Sequence, residues 1–116
     1  MENWQLDFEW LRIQNFLKET LQLSTLPDLN AALLFIGIQE LGRWKKAFTK
    51  EEKQDLMHIA TCRLLSYEDY YEFEGRDADG WPHWRSLRPF TAKGAQYQEQ
   101  LLKRLAVRYF DEYQQN

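Results

Sequence analysis

Cysteine is nearly absent from this chain of 116 residues, since Cys62 is the only one. A single cysteine cannot form an intrachain disulfide, which excludes a disulfide-stapled scaffold and favours a reducing compartment. The N-terminal segment, residues 1–10, has neither a basic stretch nor an unbroken apolar run, so we expect no secretory signal there. These absences together predict a cytoplasmic protein.

Long apolar runs and an excess of basic charge are missing too. The longest apolar run, residues 31–38, is far shorter than the roughly 20 residues that a membrane-spanning helix needs, so no membrane partner is expected. The formal net charge is -3, from 15 basic and 18 acidic residues. That balance argues against a nucleic-acid partner bound through bulk electrostatic attraction.

The motifs of the common cofactor and catalytic sites are also lacking. The sequence contains no Gly-rich phosphate loop, no Gly-x-Ser-x-Gly elbow, no His-Glu-x-x-His pair and no paired Cys-x-x-Cys motif. P-loop nucleotide hydrolysis, zincin chemistry and zinc-ribbon folds therefore have no support. We expect neither a cofactor nor a bound metal, and an enzyme is the less favoured interpretation.

What the chain has in surplus is aromatic side chains, which make up 16% of its residues and include five Trp. They concentrate in the segment 67–90, whose first half is acidic and whose second half is basic. Interleaved Arg and aromatic residues are typical of protein interfaces, where Trp, Tyr and Arg dominate the binding energy. The alternative is that these rings pack as a small core of their own. The side chains that we expect at the interaction surface are Tyr70, Tyr71, Trp81, Trp84, Arg85 and Arg88.

Helical periodicity accounts for most of the other residues and predicts four helices. The first helix, roughly residues 4–23, has one apolar stripe that begins at Leu6 and recurs every third or fourth residue. A second stripe, formed by Trp4, Phe8 and Leu11, is rotated well away from the first. Two stripes indicate that the helix either lies between neighbouring elements or meets another chain with one face.

The second helix is predicted over residues 27–46, and its sequence is apolar nearly all round, as in a buried central helix. Trp44 lies on one of its buried stripes, and Gly37 and Gly42 would let a neighbouring helix approach closely. A strand over residues 33–38 is the alternative, but the helical pattern continues on both sides of that run.

The third and fourth helices bracket the aromatic segment. Thr49 followed by Glu52 forms a capping box, which begins a helix that fades near Ser66. The fourth helix is predicted from Ala92 to Tyr113.

Between these helices, the sequence Asp-Ala-Asp-Gly at residues 77–80 is a turn signal. Asp at the first position can accept hydrogen bonds from the turn backbone, and Gly at the fourth position tolerates a positive φ. A tighter hairpin centred on residues 79–80 would give a different register. The cross-strand pairs predicted with the four-residue loop are Phe73 with Trp84, Glu72 with Arg85, and Glu74 with His83.

The acidic residues around His83 are the first cluster that could carry chemistry, either as a cation site or as a carboxylate–histidine acid–base pair. A calcium loop is excluded because Ser86 occupies the position that requires a bidentate Glu. The favoured interpretation is a solvated turn with ion pairs across the hairpin. The residues assigned to a possible pocket in this region are Glu40, Glu72, Asp77 and His83.

The second cluster is Asp55, His58 and Cys62, which share one face of the third helix. The thiol and imidazole could be a nucleophile with its base, or two metal ligands, but both roles need partners from elsewhere in the chain. The favoured interpretation is a small buried thiol beside a partly exposed imidazole. Glu40, on a buried stripe of the second helix, needs a partner such as Arg63 or else lines a pocket.

The sequence thus predicts a single, mainly α domain over residues 1–116, a four-helix fold with a two-stranded β-hairpin, about residues 70–89, inserted between helices 3 and 4. We predict an interaction module that binds protein and self-associates as a homodimer or other homo-oligomer. Its aromatic-rich contact surface would include the hairpin and the Trp4–Phe8–Leu11 stripe. The alternative is a small-ligand-binding protein or an enzyme with an acidic, His-containing pocket at residues 70–85.

Overall fold

The computed structural model describes residues 3–90 and 94–115, and over these ranges the predicted fold class is confirmed. Four α-helices occur in the described ranges, with a two-stranded antiparallel hairpin between the third and the fourth. The predicted start of the fourth helix at Ala92 lies outside the described residues. The elements are α1 (Asn3–Leu21), α2 (Leu29–Leu41), α3 (Lys50–Leu65), β1 (Tyr71–Arg76), β2 (Pro82–Ser86) and α4 (Ala95–Gln115).

The chain divides into two compact units, and the boundary between them falls inside α2. The first unit contains Met1–Ala32 and Ala92–Asn116, and the second contains Leu33–Thr91. The prediction of a single domain stays a prediction, since a boundary within one helix is compatible with either behaviour on unfolding.

In the first unit, α1 packs against α4 through its first apolar stripe. That stripe is buried from Leu6 to Leu17, as its helical spacing predicts, and the ring centroids of Phe16 and Phe110 lie 6.4 Å apart. Burial of this apolar surface is the main force that holds the two helices together. The buried side chains that α4 contributes are Leu101, Leu105, Ala106, Val107, Tyr109 and Phe110.

Helix α2 begins where its sequence predicts and ends earlier. The Asp28 carboxylate accepts a hydrogen bond of 2.9 Å from the backbone N–H of Ala31, which satisfies one of the free donors of the first turn. The predicted extension to residue 46 is wrong, and so is the alternative strand, because the helix is intact and ends at Leu41. Gly42 follows with φ +80°, the left-handed conformation in which Gly commonly stops a helix.

In the second unit, α3 approaches α2 closely at one glycine. A Cβ atom on Gly37 would lie 2.1 Å from the backbone oxygen of Leu56, a distance that no side chain can occupy. The predicted role of Gly37 is confirmed, whereas Gly42 serves only as a helix stop and has nothing near its missing Cβ. The α3 start is also as predicted, since Thr49 and Glu52 form both hydrogen bonds of a capping box, at 3.1 and 2.9 Å.

An isolated two-stranded hairpin is marginally stable in water, and this one is anchored to helices of its own unit. Both strands pack against α3. At the loop end of the hairpin, the guanidinium of Arg76 donates hydrogen bonds to the backbone oxygens of Glu40 at 2.6 Å, Leu41 at 3.0 Å and Gly80 at 2.7 Å. Arg76 thus caps the carbonyl end of α2 and holds the hairpin loop beside it.

Candidate functional site

The strand register agrees with the sequence prediction at two of its three pairs. Phe73 lies opposite Trp84, with ring centroids 5.4 Å apart, and Glu72 lies opposite Arg85 and forms an ion pair with it. The third predicted pair, Glu74 with His83, is wrong. The register shifts between residues 73 and 75, so that Gly75 pairs with His83 instead.

Asp77 organises the hairpin turn as its position predicts. Its Oδ1 accepts hydrogen bonds from the backbone N–H groups of Asp79 at 2.9 Å and Trp81 at 3.0 Å, and Gly80 has φ +86°. Its Oδ2 lies 2.8 Å from His83 Nε2. The hydrogen bond from His83 and the backbone N–H donors lower the pKa of Asp77, so it remains ionised in neutral solution.

Between α3 and the hairpin lies a cavity of about 340 Å³, which we call the α3–hairpin cavity. Asp77 and His83 line it from the hairpin side. The second chemical cluster of the sequence, Asp55, His58 and Cys62, lines it from the helix side. The two clusters, which the sequence shows only as separate groups, therefore face one cavity. The remaining lining residues are Ile59, Trp81, Pro82 and Trp84.

Cys62 is not an activated nucleophile in this cavity. The thiol is buried, and burial raises its pKa to about 11, so it stays protonated at neutral pH. Its sulfur lies 3.5 Å from His58 Nε2, at the distance of a weak hydrogen bond. Among the described residues, no group of three or more His, Cys, Asp and Glu side chains is arranged to hold a metal ion.

Two of the four residues assigned to the possible pocket lie elsewhere. Glu40 is 3.4 Å from Arg63 Nε, which is the partner that the sequence suggests for it. Glu72 is paired with Arg85 across the strands. Neither carboxylate lines the α3–hairpin cavity. Of the four residues predicted for a pocket, Asp77 and His83 are the two that line it.

The side chains predicted as an aromatic interaction surface pack largely within the second unit. Tyr70, Tyr71, Trp81 and Trp84 are all partly buried. The Arg88 guanidinium carbon lies 3.8 Å from the centroid of the Tyr70 ring, and Arg88 also donates to the backbone oxygen of Glu68 at 2.7 Å. Arg85 is exposed but paired with its cross-strand carboxylate. The ring with the largest exposure on the strands is Phe73, at 50%.

The second stripe of α1 is the more exposed apolar surface. Trp4 is 68%, Phe8 63% and Leu11 44% exposed, on the side of the helix opposite its buried stripe. Asn15 continues the row one turn further and is also exposed. We call these four residues the α1 seam.

A groove of about 750 Å³ runs beside the α1 seam, between α1 and α4. Trp4 and Phe8 form one edge, and Val107 lies on the α4 side. Arg12 spans the groove, 2.7 Å from Asp111 on α4 and 2.6 Å from Glu9 on its own helix. These two carboxylates raise the pKa of Arg12 further above its usual value, Asp111 having the larger effect, and they fix the position of the guanidinium.

One aromatic residue is exposed although its helical spacing predicts a buried position. Trp44 is 71% exposed, because α2 ends before it and leaves it in the loop that precedes α3. The signal that could have placed it correctly is Gly42, a helix-stopping residue two positions earlier.

No protein-family model matches the chain, and no curated protein or solved structure shows significant similarity to it. Among the helices that the structure describes, none is long and apolar enough to cross a membrane.

Proposed function

We propose that this protein is an interaction module that self-associates, with the α1 seam as the contact and a second copy of the chain as its occupant. The observation that supports this is the exposure of Trp4 and Phe8, 68% and 63%, on a helix whose opposite face is buried. Large aromatic rings supply most of the binding energy at protein interfaces, and contiguous exposed apolar surface is a marker of such contacts.

A second copy fits this surface because the spacing of the seam positions is symmetric. Its residues are separated by 4, 3 and 4 positions, the heptad spacing of helix–helix contacts. Read in the opposite direction, this spacing is unchanged. Two α1 helices packed antiparallel can therefore place Phe8 of each copy against Leu11 of the other, and Trp4 against Asn15. Such a two-fold arrangement uses the same surface twice, which is the commonest form of self-association.

The size of the seam predicts a weak dimer. An aromatic side chain can bury about 150–250 Å², so the exposed parts of Trp4, Phe8 and Leu11 amount to roughly 300–400 Å² on each copy. A standard interface buries about 800 Å² per partner. The rims of the groove between α1 and α4 add to the area, but we expect dissociation constants between micromolar and millimolar.

The hairpin side chains contribute less to this proposal than their composition suggests. Trp81 and Trp84 are partly buried within the second unit, and Arg88 is already stacked on Tyr70. Phe73 is the hairpin ring most available to a partner.

The proposal is tested by Phe8→Asp, with sedimentation equilibrium over a wide range of protein concentration. We expect the dimer to weaken by roughly 30-fold to 700-fold, because loss of a central aromatic costs about 1–2 kcal/mol and a two-fold interface contains it twice. The matched control is Trp44→Asp, which adds the same charge at another highly exposed aromatic and should leave the dimer unchanged.

Two results would overturn the proposal. One is a wild-type chain that remains monomeric at the highest concentration reached. The other is a dimer that Phe8→Asp leaves intact. If the wild-type chain is monomeric while an unrelated amphipathic helix binds and Phe8→Asp abolishes that binding, the seam is a site for a different partner and the second copy is excluded.

A further inference from the structure

The α3–hairpin cavity is lined by the histidine and cysteine side chains of this chain. Both histidines of the sequence, His58 and His83, line it, and so does its one cysteine. His58 and Cys62 lie on α3 and His83 lies on β2, 25 and 21 residues further along the chain. All the described lining residues belong to the second unit, and none of them is a residue of the α1 seam.

The lining defines what the cavity can hold. Ile59, Trp81, Pro82 and Trp84 give it apolar walls, two of them indole rings. Two carboxylates line it, those of Asp55 and Asp77, and among the lining residues that the structure describes there is no Lys or Arg. Asp77 stays ionised because His83 and the turn backbone donate hydrogen bonds to it.

We propose that the α3–hairpin cavity binds a small organic cation, an amine or amidine carried on an aromatic ring. The ring would lie against the indole and proline walls, and the cationic group would face the two carboxylates. Aromatic walls favour cations as well as apolar groups, because the ring quadrupole attracts positive charge. The volume, about 340 Å³, is at the lower end of the range of ligand pockets and suits a single ring with a short side chain.

Other ligand classes fit the lining less well. A phosphate or carboxylate ligand would meet two carboxylates, with no Lys or Arg in the part of the lining that the structure describes. A metal ion lacks a group of three suitable side chains in the part of the chain that the structure describes. Covalent attachment through Cys62 is disfavoured because its thiol remains protonated.

The test uses phenethylamine and phenylacetate, which share a ring and carry opposite charges. Each is titrated into the intact protein with ¹⁵N-labelled Trp, and the indole N–H signals are followed by NMR. We expect phenethylamine to shift the signals of Trp81 and Trp84 with saturation in about the millimolar range, as for other fragments of this size. The signals of Trp4 and Trp44, which lie outside the cavity, should not move.

A pair of variants tests the role of charge. Asp55→Asn removes a lining carboxylate at an exposed helical position, so the fold should be kept. We expect it to weaken phenethylamine binding by about tenfold, the effect of about 1.4 kcal/mol of lost charge attraction. Glu51→Gln changes the net charge equally on the same helix without touching the cavity, and should leave the affinity unchanged.

Three outcomes would overturn the inference. The first is phenylacetate binding as tightly as phenethylamine, which would show that charge does not determine binding. The second is no shift of the Trp81 or Trp84 signal with either probe at any accessible concentration. The third is equal weakening of binding by Asp55→Asn and Glu51→Gln, which would assign the effect to the net charge of the protein.

Discussion

At the scale of single residues, Arg76 shows how one side chain can stabilise two elements. Its guanidinium satisfies two carbonyls at the end of α2 and one in the hairpin loop. The last carbonyl groups of a helix have no hydrogen-bond partner within that helix. Arg76 supplies a partner to two of them and so offsets the free-energy cost of leaving them unpaired. Hydrogen bonds to a charged group are worth more than neutral ones.

We predict that Arg76→Ala lowers the free energy of unfolding by about 1–3 kcal/mol, because three acceptors lose a charged donor at a partly exposed site. The control is Arg85→Ala, which removes an exposed cross-strand ion pair with Glu72 and should cost less than about 1 kcal/mol. Urea unfolding measures both changes. Equal losses in the two variants would contradict the capping role of Arg76.

Single residues were predictable where one local rule governs them. Asp77 holds its turn and Glu40 lies beside Arg63, as expected from turn chemistry and from the cost of an unpaired carboxylate. His83 was given the wrong cross-strand partner because a bulge shifts the register by one residue. The bulge follows from Gly75, whose φ of +108° is available to glycine and could not be inferred from pairing preferences alone.

At the scale of elements, the approach of α2 to α3 depends on one missing side chain. The Cβ position of Gly37 is blocked by backbone atoms of Leu56, at 2.1 Å from the oxygen and 2.6 Å from the carbonyl carbon. Backbone in the middle of a helix cannot move aside as a flexible side chain can. Any larger residue at this position must push the two helices apart.

We predict that Gly37→Ala lowers the free energy of unfolding by about 3 kcal/mol or more, since it overpacks a buried helix contact. Gly42→Ala is the matched control, because its Cβ would lie in open space and the cost comes only from a positive φ. That cost should be about 1 kcal/mol. A Gly37→Ala protein as stable as Gly42→Ala would show that the helices do not approach as closely as described.

The sequence predicts which helices and strands exist better than it predicts where they end or how they pack against one another. The capping box gave the start of α3, and the two stripes of α1 separated a buried face from an exposed one. The predicted end of α2 is wrong because apolar residues continue at helical spacing as far as Trp44, whereas Gly42 ends the helix. The α3–hairpin cavity could not be predicted, since the meeting of His58 with His83 depends on how a helix is rotated against a hairpin that is distant in sequence.

At the scale of the whole molecule, the chain consists of two compact units that share one helix. Their boundary lies between Ala32 and Leu33, within the continuous helix α2. A chain of 116 residues lies in the size range in which a single cooperative unfolding transition is usual.

We therefore predict a single cooperative unfolding transition. In a urea titration followed by NMR, the indole signals of Trp10 in the first unit and Trp84 in the second should lose intensity at the same midpoint. Arg76→Ala, a change confined to the second unit, should lower both midpoints equally. Separate midpoints, or a shift in Trp84 alone, would show two independently stable units.

The central claim is that copies of this chain meet through the α1 seam. The most direct measurement is a dilution series of the wild-type protein with ¹⁵N-labelled Trp, in which the five indole N–H signals are followed by NMR from micromolar to near-millimolar concentration. We predict that the Trp4 signal shifts or broadens as concentration rises, while the equally exposed Trp44 stays fixed. Signals that are all independent of concentration, or a response at Trp44 and none at Trp4, would contradict the claim.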